Sequence, residues 1–372
     1  MFFITFSNLW SFSIFFSLTY LTLIVSLITY ILPIVSTSSK YSVSVSRSNF
    51  SFINAQDLFW VFSSPYFLVL ALTFIWTGPA TSAWFGHLVF TSFQAKMGVL
   101  VCLSFICCLW VLTSTTYFAS REIYDYTITT FNFCYWVYVL FLSNSIFTTI
   151  FIIEVLSALI FLLIITSTFS TAYFYRNTNL SFGHMFQQST PFTYLQSVLY
   201  FFWISLISSL NLFLFCLLFY TKIPTFDWYL MEYIFVYFIN VATVKEIYAL
   251  CIAWFVLMFC IFLKCGLAPL YIWKPTFFKG IPLYTLFFYI CFFYFFLFLF
   301  IIHLLTSYFS EVFYYYSLVT VMFTVVGLFT LLMIVCESYY IKAFLAISSI
   351  LNSLFVILAL STSHITDVVL WL

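Results

Sequence analysis

Apolar runs long enough to cross a bilayer recur along the whole chain, with short polar stretches between them. Taking about twenty predominantly apolar residues as one membrane-crossing helix, the pattern predicts spans near 9–36, 58–77, 98–119, 128–145, 147–171, 191–221, 247–273, 282–306, 311–336 and 341–361, ten in all. The main polar interruptions are TSSKYSVSVSRSNFSFINAQD at 37–57, REIYDYT at 121–127 and TKIPTFDWYLMEYIFVYFINVATVKE at 221–246. The last is long, aromatic and partly apolar, which suits an interfacial helix with its rings at the headgroups. A re-entrant segment or an eleventh span fits the same pattern. A membrane β-barrel would need shorter segments of alternating polarity, which the sequence lacks.

Composition agrees with this reading. The chain is 65% hydrophobic and 6% charged, against about 25% charged in ordinary globular proteins, so it has too little polar surface to wrap a soluble fold. An all-α, multi-pass membrane protein is expected. The net charge of +1 gives no reason to expect a nucleic-acid or acidic partner. The ten cysteines, Cys107, Cys108, Cys260 and Cys265 among them, fall almost entirely in apolar spans without CxxC spacing and read as small buried hydrophobes. The sequence contains no P-loop, GxGxxG, HExxH or haem-attachment motif. Its 55 Phe and 28 Tyr fit a T-rich coding bias of the kind found in organelle genomes. Synthesis inside an organelle would also account for an opening, MFFITFSNLW, that is neither an Arg-rich import peptide nor a short signal sequence.

Alternating the loops sorts Lys40, Arg47, Arg121, Arg176, Lys274, Lys279 and Lys342 onto one face and Lys96, Lys222 and Lys245 onto the other. The positive-inside rule makes the first face the inner one and places the N-terminus outside.

Two ionisable residues stay inside apolar spans, Glu154 in IFIIEVLSALIF and Lys264 in CIFLKCGLAP. Counting 1.5 Å per residue from the Ser143–Ser145 hairpin and from Lys274 puts them roughly 13 and 15 Å deep. A charge at that depth costs something like 3 kcal/mol unless it is paired or hydrated. Neither has a counter-charge three or four residues away on its own helix. Pairing of Glu154 with Lys264 across two helices is the economical arrangement. It could serve function or only fix packing, and a lysine neutralised by burial is a further alternative.

Lys264 is followed by Gly266, Pro269, Pro275, Gly280 and Pro282. Pro269 removes the hydrogen bond to the carbonyl of Cys265 and invites a kink or unwinding beside the ammonium. Broken helices expose backbone polar groups to ions and water, and are tolerated against protein or a wet cavity. Alternatively the prolines end the helix at the interface, with Trp273 and Lys274 as anchors.

The stretch KCGLAPLYIWKPTFFKGIP (264–282) resembles the seventh-helix signature of subunit 2 of mitochondrial respiratory complex I, NADH:ubiquinone oxidoreductase: a lysine, G-x-A-P, an aromatic pair, W-x-P and G-x-P. SNSIFTTIFIIEVLSALIF (143–161) is similar to that family's hairpin with a buried glutamate, and IKAFLAISSILNSLFVILAL (341–360) to the segment opening its tenth helix, matched at Ser348 and Ser349. The resemblance covers roughly 130–361. It implies an antiporter-like multi-span helical bundle of about 10 to 11 transmembrane helices, with a broken helix near 264–275. The implied parts are N-terminal helices one to three over 1–127, a first half-repeat core over 128–273, and helices eight to ten with the start of a truncated second half over 274–372.

The resemblance assigns Glu154 and Lys264 to an ion pair that modulates proton passage. The family's eighth-helix lysine falls, counting without gaps, at Tyr294, and no lysine occurs from 280 to 341. His303 is the basic side chain there, about opposite Tyr294 around a helix and roughly 13 Å further along. It is a weak relay candidate, and an interface histidine is the other reading. The chain ends where the family begins its eleventh helix, so either a second polypeptide supplies the remaining helices, which is the expectation, or the subunit has lost half of its channel.

The resulting expectation is a non-redox membrane-arm subunit of the mitochondrial inner membrane that contributes to proton translocation. It would bind no cofactor itself; NADH, flavin, iron–sulfur clusters and ubiquinone would belong to other complex I subunits. Two alternatives stay open: a structural subunit that has lost its channel, and a related cation/proton antiporter subunit.

Overall fold

The computed structural model describes residues 81–83, 86–115, 120–177, 191–221, 225–234 except 229 and 232, 244–335 and 341–361. The expected spans at 9–36 and 58–77 and the polar stretch at 37–57 lie outside the described residues. Two compact units divide the chain, one comprising 1–143 and 165–178, the other 144–164 and 179–372.

In the first unit, β1 (Thr81–Ala83) and β2 (Leu88–Phe90) form an antiparallel ribbon, with Thr81 opposite Phe90. This ribbon adds a small β element to the expected all-α architecture. Helices α1 (Ser92–Thr115) and α2 (Ser120–Leu142) follow. Helix α1 begins six residues before the expected span at 98–119, where the Gln94 side-chain oxygen reaches back to accept the Thr91 N–H at 2.9 Å and the Thr91 hydroxyl. The two helices pack through Gly98, where an added Cβ would lie 2.5 Å from the Tyr138 ring. Helix α2 corrects the reading of REIYDYT as an interruption. Those residues are its first turns, since charge marks where a helix leaves hydrocarbon, not where it ends.

Helix α3 (Ile146–Asn177) belongs to the second unit as far as Ile164. Ser145 caps it, its hydroxyl accepting the Thr148 N–H at 3.3 Å. The start of the expected interfacial segment pairs with the same turn, as Ile146 N–H donates to Phe226 O and Trp228 N–H to Asn144 O, each at 2.9 Å. The second unit continues with α4 (Pro191–Tyr220), α5 (Val244–Cys265), α6 (Trp273–Gly280) and α7 (Leu283–Phe288). A π-helical stretch (Tyr289–Tyr294) joins α7 to α8 (Phe295–Ser307), and α9 (Ser310–Val335) and α10 (Ile341–Ser361) complete the unit.

Helix α4 packs on α5 and α6, and α10 packs on α6 and α9. Leu318, Met322, Val325, Phe329 and Leu332 are exposed along α9 at spacings that make one helical stripe, as expected of a lipid-facing surface. Among the described residues, six helices are long and apolar enough to cross a membrane. The protein is a multi-pass, helical membrane protein.

Candidate functional site

The expected span at 247–273 is interrupted in the structure. Helix α5 stops at Cys265 and α6 starts at Trp273. Gly266 makes the stop: its φ of +61° is left-handed, and its N–H reaches Leu263 O at 3.2 Å while Leu267 N–H reaches Phe262 O at 2.8 Å. This pair of bonds is a Schellman C-cap. The break therefore starts at Gly266, with Pro269 lying in the turn beyond it. A Cβ at Gly266 would also come within 3.0 Å of both Lys274 and Trp273 side chains.

Lys264 lies in the last turn of α5, where the carbonyl end of the helix favours a cation. Its ammonium donates to Glu154 Oε1 at 3.1 Å and to Ser205 Oγ at 3.3 Å, so α3, α4 and α5 converge on one charge. The Lys264 side chain is 8% exposed and that of Glu154 32%. The Ser157 hydroxyl donates to the Glu154 backbone oxygen at 2.8 Å and approaches its Oε2 at 3.4 Å. Charged hydrogen bonds of this kind contribute about 1.5–3 kcal/mol each, enough to offset much of the cost of holding the pair in hydrocarbon. A cavity of about 60 Å³ lined by Lys264, Thr149, Leu257, Ile261 and Trp228 adjoins the pair. Its exposed wall is apolar, so by itself it offers water too few polar partners to hold it.

Lys274, expected as an interface anchor and counted with the inner-face charges, is instead 0% exposed. Its neighbour Trp273 is likewise buried. Helix α6 turns the Lys274 side chain back into the bundle. Its ammonium donates to Cys265 O at 3.3 Å and lies 3.6 Å from the centroid of the Tyr294 ring. The Cys265 carbonyl is available because α5 ends there, and the last carbonyls of a helix have no intrahelical partner. Ammonium over a desolvated aromatic face is worth about 2 kcal/mol. The Tyr294 hydroxyl donates to Ser353 Oγ at 2.9 Å, which fixes the ring from α10. Thus the position at which the resemblance expects a lysine carries an aromatic ring that receives a lysine from α6.

The chain shares its fold with a chain of respiratory complex I. The match is to the structure described as respiratory complex I from Thermus thermophilus with bound Aureothin, with a TM-score of 0.57 and 14% identity over 84% of this chain. This chain spans 60% of the length of that one. No protein-family profile matches the sequence, and no match is found among curated proteins.

His303 meets the Ser307 hydroxyl through Nδ1 at 3.0 Å and Tyr308 edge-on at 5.6 Å, at the end of α8. Sequence reasoning missed Ser205, Lys274 and Ser353. A serine in an apolar span is commonplace and carries no signal of its own. Lys274 gave no distinguishing signal either, since a lysine between a tryptophan and a proline reads as an interface anchor. Lys342, read as an inner-face charge, donates to Ile281 O at 2.8 Å and so ties α10 to the end of α6.

Proposed function

We propose that this chain is a membrane-arm subunit of a mitochondrial complex I, related to subunit 2, and that it contributes to proton translocation coupled to NADH:ubiquinone oxidoreduction. The Glu154–Lys264 ion pair beside a helix broken within the bundle carries this reading. The fold shared with a chain of Thermus complex I supports it, as do the three sequence stretches that resemble subunit 2.

The mechanism follows from the geometry. With Glu154 at 3.1 Å, the carboxylate holds the proton on Lys264. If α3 and α5 shift as the complex turns over, the carboxylate withdraws and the ammonium can release that proton to water admitted by the same shift. Reapproach of the carboxylate favours reprotonation. NADH oxidation and quinone reduction belong to other subunits in this proposal.

A second reading, a subunit that keeps the fold but conducts nothing, draws on the Phe- and Ile-lined cavity wall. Purification of the chain with its native partners tests the assembly directly. Co-purification with NADH dehydrogenase activity is expected. Recovery without any such activity would favour an independent antiporter subunit.

A further inference from the structure

We infer that Lys274 is a second proton-carrying amine of the same path, held in the bundle by the face of Tyr294 and the Cys265 carbonyl. The inference rests on the proton-translocation reading above.

Three observations lead to it. First, Lys274 is fully buried, and its recorded partners are neutral: a backbone carbonyl at 3.3 Å and an aromatic ring at 3.6 Å. Among the described residues, no carboxylate forms an ion pair with it; Glu154 is committed to Lys264. A lysine retained only for packing would normally have a counter-ion or reach water, because an unpaired buried charge is costly and an apolar side chain fills the space more cheaply.

Second, the two lysines converge on the carbonyl end of α5, one from its last turn and one reaching back from α6. With Glu154 ionised, two ammonium groups leave this cluster with one positive charge in excess. Loss of a single proton makes it neutral. While Glu154 is closed on Lys264 its carboxylate stabilises that ammonium, so in that arrangement the first proton to leave is the one on Lys274.

Third, polar groups lie unpartnered in the aromatic cluster beside Lys274. The Trp273 indole N–H and the Tyr289 hydroxyl are buried without hydrogen-bond partners among the described residues. Both belong to the aromatic cluster around Phe277, whose ring centroid lies 5.6 Å from that of Trp273 and 5.0 Å from that of Tyr289. Phe278, adjacent to Lys274 Nζ at 6.0 Å, meets Tyr289 at 5.9 Å. Buried donors of this kind are ordinarily satisfied by water.

The step needs no electron transfer. The ammonium of Lys274 breaks one N–H bond, its proton passes to a water molecule to give hydronium, and the neutral amine keeps the electron pair. A proton arriving by water restores the ammonium. Tyr294 and Ser353 are positioning residues: the hydroxyl–hydroxyl bond turns the ring so that its face meets the amine.

The test uses the assembled complex in vesicles and measures NADH-driven proton translocation, with Lys264→Met as the reference. Lys274→Met is expected to lose translocation as Lys264→Met does, and Lys274→Met combined with Tyr294→Lys to recover it. Lys274→Arg keeps the charge but cannot give up its proton, so it is expected to lose translocation too, whereas a purely structural cation would tolerate it. Loss with Lys264→Met but retention with Lys274→Met or Lys274→Arg would overturn this inference alone. Retention with Lys264→Met would instead overturn the proton-translocation reading. If Lys274→Met fails to assemble, Tyr294→Leu decides, because it keeps the lysine and removes the ring: loss of translocation supports the inference and retention refutes it.

Discussion

The Lys264 ammonium and the Glu154 carboxylate meet at 3.1 Å although 110 residues separate them in the chain. The pair joins α3 to α5 at the turn where α5 ends. Its separation is therefore sensitive to any sliding of α3 against α5, and a proton held on Lys264 is sensitive to that separation.

Ser205 supplies a second, uncharged acceptor to the same ammonium. Ser205→Ala removes that bond and leaves the carboxylate, which should cost about 1.5–3 kcal/mol. Proton translocation by the assembled complex is expected to fall, but by less than in Glu154→Gln. An equal or larger loss in Ser205→Ala would show that the serine is the principal partner.

Gly266 ends α5 in a left-handed conformation with two side chains against it. Gly266→Ala imposes a backbone cost of about 1–2 kcal/mol and presses on Lys274 and Trp273. Thermal unfolding of the purified complex should show lower stability of this subunit. A variant as stable as the original would contradict the described helix end.

Gly327 of α9 lets the turn after α5 approach closely, since a Cβ there would lie 2.6 Å from Ala268 O. The clash is with backbone, which cannot rotate away. Gly327→Leu should cost about 1–3 kcal/mol by overpacking, and the level of assembled complex on native gels measures it. Normal assembly would mean that α9 does not bear on this turn as described.

Much of the helical layout was legible in the hydropathy pattern, because hydrocarbon demands long apolar runs. The expected span at 341–361 coincides with α10. Boundaries set by other physics were not legible in that pattern. Helix α1 starts where the Gln94 side chain holds the Thr91 N–H, and α2 continues through charged residues that hydropathy treats as loop. At the site, Glu154 and Lys264 could be singled out because a chain with 6% charged residues leaves few candidates deep in its spans. Lys274 could not. Next to Trp273 and beyond an apolar run it looks like an interfacial anchor, and only the break between Cys265 and Trp273 lets its ammonium reach Tyr294. The gap-free count to Tyr294 gave no warning of the π-helical stretch that ends there, where a wider turn changes which side chains face the bundle.

On the proposed mechanism, the proton on Lys264, held by Glu154, is one the complex moves. Its most direct test is NADH-driven proton translocation by vesicles carrying the assembled complex with Lys264→Met. Loss of about 10²-fold is expected, the scale of a positioned proton-transfer group, with assembly retained. Translocation at the original rate from a fully assembled Lys264→Met complex would contradict the account.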